Sequence, residues 1–475
     1  MTPDWVGRAP ELGLLRRSLD DRLASVLTVT GLRGVGKSAL VRRVLTDYEH
    51  ATLVCPPLPE QAIIAHLGRV LRAHDSGSPD ATPPSSAREE TPVAAPQDWS
   101  GVFDLALKRT GRGGAPFVLV LDDAHRLAHA HSRHREALTQ VILRARTEGR
   151  ALHVVLVGGS DNRDVRGDYP EVAGPPLKLE PLHFRAASRM LPGRNPRERL
   201  RAYALFGGVP RVLSRLDPSI SVGANVRKLL LAPDGPLVDV ARTWLERDVQ
   251  NPTRYYTILS ALAKGERTWG QIRTQFPEPT TSGQIAPYLR TLERLGLIRA
   301  RTSLDARPGS RSRRYEAADP FLMTWFRFVF PHLHSPEPTK PQDVFTRHVR
   351  PSWDDHTSAV LPRIGRDFME HDAIEVFGSN ARESGSIWSS QIEIPVAGVL
   401  ASGAAYYGHT HWGAYPPGSK PLDSLDRQIR ETRFAYGRER RLRLLVIGHA
   451  LPRTVERALV RRLDAFAIGP DDLMG

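Results

Sequence analysis

A doubly wound α/β fold with a parallel sheet is expected for the N-terminal part of this 475-residue chain. Three observations carry that expectation. Short apolar runs at Val26–Thr30, Pro116–Leu121 and His153–Val157 have the composition of strands buried on both faces. Helical patterns follow each run, the alternation that builds βαβ units. Between the first run and its helix stands "GLRGVGKS", Gly31 to Ser38, which fits G-x-x-x-x-G-K-[ST] at every required position.

The chemistry of that motif is specific. Gly31, Gly34 and Gly36 let the backbone curl around a phosphate, so that amides such as those of Val35, Gly36 and Ala39 point inward. Lys37 places a point charge on the β- and γ-phosphates, and the Ser38 hydroxyl ligates Mg²⁺. "FVLVLDDAH", Phe117 to His125, supplies the partner strand. It delivers Asp122 to hold Mg²⁺ through water, and Asp123 to polarise the attacking water. The motifs therefore imply ATP and Mg²⁺. Ser160, after "HVVLVGG", is a candidate γ-phosphate sensor. His125, His129, His131 and His134 follow Asp123 and are expected to face solvent, although His125 and His129 have the i, i+4 spacing of metal ligands.

The rest of the chain divides by composition. Asp75 to Asp98 is rich in Pro, Ser and Ala and is expected to be a mobile insertion in a core spanning 1–180. Residues 181–250 are mostly helical, and 251–334 carry a winged-helix pattern. There Ile285, Leu289, Leu292 and Leu295 share one helix face, Pro287 forces a late start or a kink, and an Arg-rich loop joins two strands. A DNA contact would run through Arg299, Arg301, Arg311, Arg313 and Arg314, and a solvated interdomain module is the alternative. The tail, 342–475, reads helix, strand (391–396), strand (404–411), helix (422–436), strand (442–447).

Charge and cysteine usage narrow the classes further. A formal charge of +14 invites nucleic acid, but its arginine bias makes it weak support. One cysteine excludes an internal disulfide framework and a multi-thiolate zinc site. No apolar run reaches the roughly 20 residues that span a bilayer, so a cytoplasmic protein without a membrane partner is expected.

Together these motifs resemble the archaeal/bacterial STAND-class ATPases related to AAA+ proteins. "WVGRAPEL" is similar to their opening box, which implies that Arg8 lies close to the nucleotide. "YALFGGVP" is similar to their GxP element, which implies that Pro210 meets the adenine from a helical lid. "SRRYEAADPFLMTWFRFVFP" resembles the end of their winged helix. The resemblance implies a nucleotide-operated switch; Arg163 and Arg166 are candidate arginine fingers, and a finger from a neighbouring copy in a homo-oligomer is the alternative. The tail resembles a restriction-endonuclease-like, PD-(D/E)XK domain with altered chemistry. Glu393 stands at the family's Asp position, His409 at its Glu, His411 at its Lys and Met369 at its upstream Glu, with Glu370 one further on and Lys420 a candidate substitute lysine. Neutral imidazoles are poor replacements for carboxylates on Mg²⁺, so an inactive binding tail is expected. Two readings stay open beside it: an ATP-controlled nuclease with a Glu393/His409/His411 transition-metal site, and an ATP-binding adaptor that recruits protein partners.

Overall fold

The computed structural model describes residues 6–73, 96–110, 115–127, 133–159, 171–193, 195–246, 249–277, 281–307, 309–310, 313–333, 340–416, 418–438 and 440–475. Two compact units make up the chain: residues 8–180, and residues 181–475 together with the first seven.

In the first unit the elements run α1 (Ala9–Asp20), β1 (Ser25–Gly31), α2 (Lys37–Leu45), β2 (Glu49–Val54), α3 (Glu60–Ala73), α4 (Trp99–Arg109), β3 (Phe117–Asp122), α5 (Arg133–Thr147), β4 (Leu152–Val157) and β5 (Leu177–Leu179). All five strands are parallel, in the order β2-β3-β4-β1-β5. Alternation along β3 explains its unbroken apolar run. Phe117, Leu119 and Leu121 pack with α3, α4 and α5, whereas Val118 and Val120 pack with α1 and α2. The three expected strands are present; β2 and β5 are additional. Most of the expected insertion, 75–95, lies outside the described residues, but Asp98 does not: its carboxylate caps α4 at the Gly101 amide, 2.8 Å away.

The second unit begins with short helices around α6 (Pro196–Phe206). It continues through α7 (Thr253–Leu262), β6 (Arg267–Thr268), α8 (Trp269–Arg273), α9 (Ser282–Arg294), β7 (Ile298–Thr302), β8 (Arg313–Ala317) and α10 (Pro320–Thr324). The strands form an antiparallel sheet in the order β6-β8-β7. Pro287 sits inside an unbroken α9 and does not delay its start, because the Gln284 side chain accepts from the Thr281 amide at 2.8 Å and secures the first turn.

After α11 (Trp353–His371) come β9 (Ala381–Trp388), β10 (Glu393–Leu400), β11 (Ala405–His411), α12 (Pro421–Glu431), β12 (Arg441–Ile447), α13 (Arg453–Val460) and β13 (Ala465–Ile468). Their sheet runs β13-β12-β11-β10-β9, antiparallel from β9 to β11 and parallel from β11 to β13. The expected strands and helix are found with shifted ends, and α12 stops at Glu431 rather than 436. The strand β9 preceding them has no alternating pattern and carries Gly385, which lies against Leu304.

One joint organises this unit. The buried Asp319 carboxylate accepts from the Gly208 amide at 2.8 Å and from the Phe321 amide at 2.9 Å. The Leu182 amide donates to the Gly208 carbonyl at 2.8 Å. A Cβ on Gly208 would run into the Leu182 carbonyl, which belongs to backbone with nowhere to move. Gly208→Ala is expected to cost about 1–3 kcal/mol or more as overpacking, read from a urea denaturation midpoint.

Candidate nucleotide site

Strand β1 ends at Gly31, where an added Cβ would strike the Leu179 carbonyl of β5; only glycine lets the chain turn there. The loop then closes through positive φ at Gly34 (85°) and Gly36 (101°). Gly36 caps α2, and a Cβ added there would meet no other atom within 4 Å, so there is room at this helix N-terminus, where anions bind. Lys37 folds over the loop, its Nζ donating to the Gly31 carbonyl at 2.8 Å and to the Leu32 carbonyl at 3.1 Å. Burial lowers its pKa to about 8, against the pull of Asp122 and Asp123. Ser38 and Ala39 follow in the first turn.

Asp122 ends β3 level with Val157, which is itself level with Val29 of β1. With β4 between them, β1 and β3 stand about 10 Å apart, a separation for an ion reached through water. Asp123 adopts φ 56°, a left-handed conformation uncommon for a residue with a side chain. Its amide donates to its neighbour Asp122 at 2.9 Å, and its carboxylate lies 3.3 Å from Arg126. Arg126 in turn donates to the Cys55 carbonyl at 2.7 Å. The buried Cys55 thiol is pushed up to about 12 by burial, then by Asp123 and Asp122, so it is no nucleophile.

Arg8 is buried, donating to the Val35 carbonyl at 3.2 Å, to the Glu180 carbonyl, and to Glu11 at 2.8 Å. It braces the P-loop from below. Pro210 opens a one-turn helix (Pro210–Leu213) of the other unit. Ser160, Arg163, Arg166, His129 and His131, and the side chain of His125, lie outside the described residues. His134 is not solvent-facing as expected: it is buried beside Trp99, their ring centroids 5.8 Å apart, because it falls on the apolar face of α5.

The tail residues Glu393, His409 and His411 do not converge as the alternative, transition-metal reading requires. Glu393 makes a two-armed ion pair with Arg314, both contacts 2.7 Å, and Arg314 stacks over Trp388. His411 stacks on Tyr415 (4.1 Å) and bonds the Ala414 carbonyl through Nε2 at 3.2 Å. His409 is held neutral by burial, which outweighs its hydrogen bond to Gln428 and the field of Glu393. Among the described residues no three His, Cys, Asp or Glu side chains converge as metal ligands. Met369 is buried and Lys420 exposed. The donor set thus fails because its one carboxylate is neutralised by a guanidinium.

The expected DNA contact is corrected in part. Arg301 pairs with the buried Glu316 at 2.9 Å, and Arg314 is held by Glu393, so neither charge is free for phosphate. Arg299 also has a partner within the chain, and its charge adds to the field on Glu316. Arg313 is exposed, and Arg311 is outside the described residues. Position along the chain alone does not separate these roles. Asp319 carried a readable signal, an acidic residue directly before proline at a helix start.

Comparison with known proteins bears on the first unit. Residues 4–157 match the family described as the AAA ATPase domain. The chain is 21% identical over 375 residues to an uncharacterized protein of Methanocaldococcus jannaschii, covering 77% of each. Among solved structures it is similar to a Walker-type ATPase of Pyrococcus abyssi, with 19% identity and a TM-score of 0.50 over 69% of this chain and 97% of that one. It is also similar to the ORC2 protein of Aeropyrum pernix, with 16% identity and a TM-score of 0.40 over 69% and 95%. No described helix is long and apolar enough to cross a membrane. The five-stranded parallel sheet of the first unit is that of a P-loop NTPase α/β fold, in keeping with the match of residues 4–157 to the AAA ATPase domain.

Proposed function

We propose that the protein is a cytoplasmic STAND-type switch that binds Mg-ATP, hydrolyses it slowly, and passes the nucleotide state to a winged helix (251–334) and an inactive nuclease-like tail. The observation that carries this reading is Lys37 folded over the P-loop at the head of α2, with Asp122 ending β3 and Asp123 directly after it. Ser38 and Asp122 would hold Mg²⁺, the former directly and the latter through water, and the ion would neutralise charge between the β- and γ-phosphates. Arg8, Gly31, Gly34, Val35, Gly36, Lys37 and Ala39 would hold the phosphates and the loop around them. Asp123 would orient the attacking water. Its left-handed backbone and its ion pair with Arg126 would aim the carboxylate before substrate arrives.

The switch reading draws on the Asp319 joint. If Pro210 meets the adenine, its pull acts on Gly208, whose amide is bonded to Asp319 at the head of α10. Lid and winged helix would then respond as one body. The succession helix, strands, helix, strand in the tail supports the nuclease-like resemblance, with β9 in front of the two strands expected. The adaptor reading is favoured by one observation: Arg301 and Arg314 are paired with carboxylates within the chain, as an interdomain module would place them. DNA contact through Arg313 predicts an affinity that falls steeply with salt, whereas an adaptor predicts none to lose.

Asp123→Asn tests the enzyme. Turnover of ATP is expected to fall about 100-fold or more, as for loss of a general base, with the equilibrium affinity for Mg-ATP changed less than about threefold. Unchanged turnover removes Asp123 from the reaction.

A further inference from the structure

A cavity of about 630 Å³ lies within the second unit, and no residue of the P-loop lines it. Its wall runs from the N-terminal half of α6, through the short helix Val222–Val226, to the segment Phe345–Asp354. Three guanidinium groups line it: Arg201, Arg227 and Arg350. Arg227 lies over the Phe345 ring, 4.8 Å from its centroid, and Trp353 stands edge-on to that ring at 5.9 Å and 82°. Gly223 makes this packing possible, since an added Cβ would sit 2.7 Å from the Phe345 ring.

The charges do not cancel within the wall. Arg201 bonds Asp354 at 2.7 Å, and Asp354 also accepts from the Trp412 indole at 2.8 Å. Burial raises the Asp354 carboxyl, but these two hydrogen bonds outweigh it, so Asp354 stays ionised and occupied. Glu198, the other acid on the wall, also has a partner. Among the described residues no carboxylate pairs with Arg227 or Arg350. The Trp353 indole N–H is shielded from solvent and has no acceptor. A shielded donor without an acceptor costs about 1–3 kcal/mol unless something fills the role.

We propose that this cavity is a second ligand site, one for a small nucleotide. Its base would lie against the Phe345 and Trp353 rings and its phosphate between Arg227 and Arg350. An aromatic ring beneath a guanidinium suits a planar, electron-rich base. Two unpaired arginines supply forked donors for phosphate oxygens. Inorganic phosphate meets only half of this wall, and the cavity is of the size that encloses a drug-sized ligand. Such a site would let the chain sense a nucleotide separately from the ATP bound at the P-loop.

The test is equilibrium dialysis of the full-length Lys37→Ala protein with AMP, ADP, ATP, inorganic phosphate and a short single-stranded oligonucleotide. Expected is one equivalent of a mononucleotide retained despite the lost P-loop lysine. Arg350→Gln and Arg227→Gln, made on that background, should each weaken it about tenfold or more, the worth of a charge-assisted hydrogen bond. Arg350 is exposed and its variant is expected to keep the parent's melting temperature, so it decides the matter even if Arg227→Gln unfolds. Four results overturn the proposal: no mononucleotide retained, retention indifferent to Arg350→Gln, binding of phosphate as tight as any nucleotide, or binding of the oligonucleotide alone. A wild-type protein that binds one ATP lost in Lys37→Ala leaves the ATPase reading intact while ending this one.

Discussion

Lys37→Ala is expected to lose ATP affinity by about two orders of magnitude or more, yet to leave the nucleotide-free protein at least as stable as its parent. The first half follows from removing a buried charged donor to phosphate, a loss of about 2–5 kcal/mol. The second half follows from the burial of Lys37. Lys37 is a base whose pKa burial lowers to about 8. Such a group favours the folded state only when neutral: its stability contribution is present above the unfolded lysine value near 10.4 and is lost as pH falls through about 8. At neutral pH the protonated side chain therefore costs on the order of 3 kcal/mol, offset in part by its two hydrogen bonds to the loop carbonyls, about 1 kcal/mol each. Deleting it removes both. Thermal melts with and without Mg-ATP give the readout: a larger ligand-induced rise in Tm for the parent than for the variant, and no loss of Tm without ligand. The parent should also bind ATP more weakly above pH 8 and take up a proton on binding there, seen as a buffer-dependent heat in titration calorimetry. Affinity that stays flat from pH 7 to 10 would remove Lys37 from phosphate binding.

The P-loop was legible because its requirements are local. Glycines at fixed spacing, a lysine and a serine at a strand-to-helix junction state their own geometry, and Asp122 ends the next apolar run. What the sequence concealed depends on contacts between distant segments. Nothing near Arg314 or Glu393 says that these residues, 79 positions apart, neutralise one another. The alternation that puts His409 and His411 on one face is correct as geometry, but it does not reveal that His411 stacks on Tyr415 or that the buried His409 Nε2 has no hydrogen-bond partner. Similarly, α5 reads as a polar helix with histidines, and only the packing of Trp99 across α4 shows that His134 is interior. Strands β2 and β5 escaped for a simpler reason: β2 alternates between exposed and buried residues, and β5 has three residues, both weak as apolar runs.

Arg366→Met is expected to be the most damaging single substitution in the second unit, costing about 3–5 kcal/mol in chemical denaturation. Its guanidinium is 1% exposed and donates to Glu316 at 2.9 Å, Glu266 at 3.2 Å, the Ser386 hydroxyl at 3.0 Å and the Pro395 carbonyl at 3.0 Å. These groups come from β8, the residue before β6, and strands β9 and β10, so one cation on α11 ties four other segments together. Burial by itself raises the Glu316 carboxyl; Arg366, then Arg301, Arg363 and Arg299, reverse the effect and hold it far below the usual carboxylate range. An acid depressed in the folded state stabilises above its unfolded pKa, about 4.3, and that contribution is lost as pH falls below it. Glu266 works the other way, because burial raises it, but its exposure is greater and its effect on the acid limb smaller. Without Arg366 the acid limb should therefore flatten while the neutral-pH plateau drops. The pairing with Glu316 has its own check. Replacing both residues, Arg366→Met with Glu316→Leu, removes the stranded anion along with the cation and is expected to recover much of the loss, since apolar groups of similar volume often match a buried ion pair. If the double variant is as unstable as the sum of the two singles, Arg366 acts through its bonds to Ser386 and Pro395 rather than through Glu316.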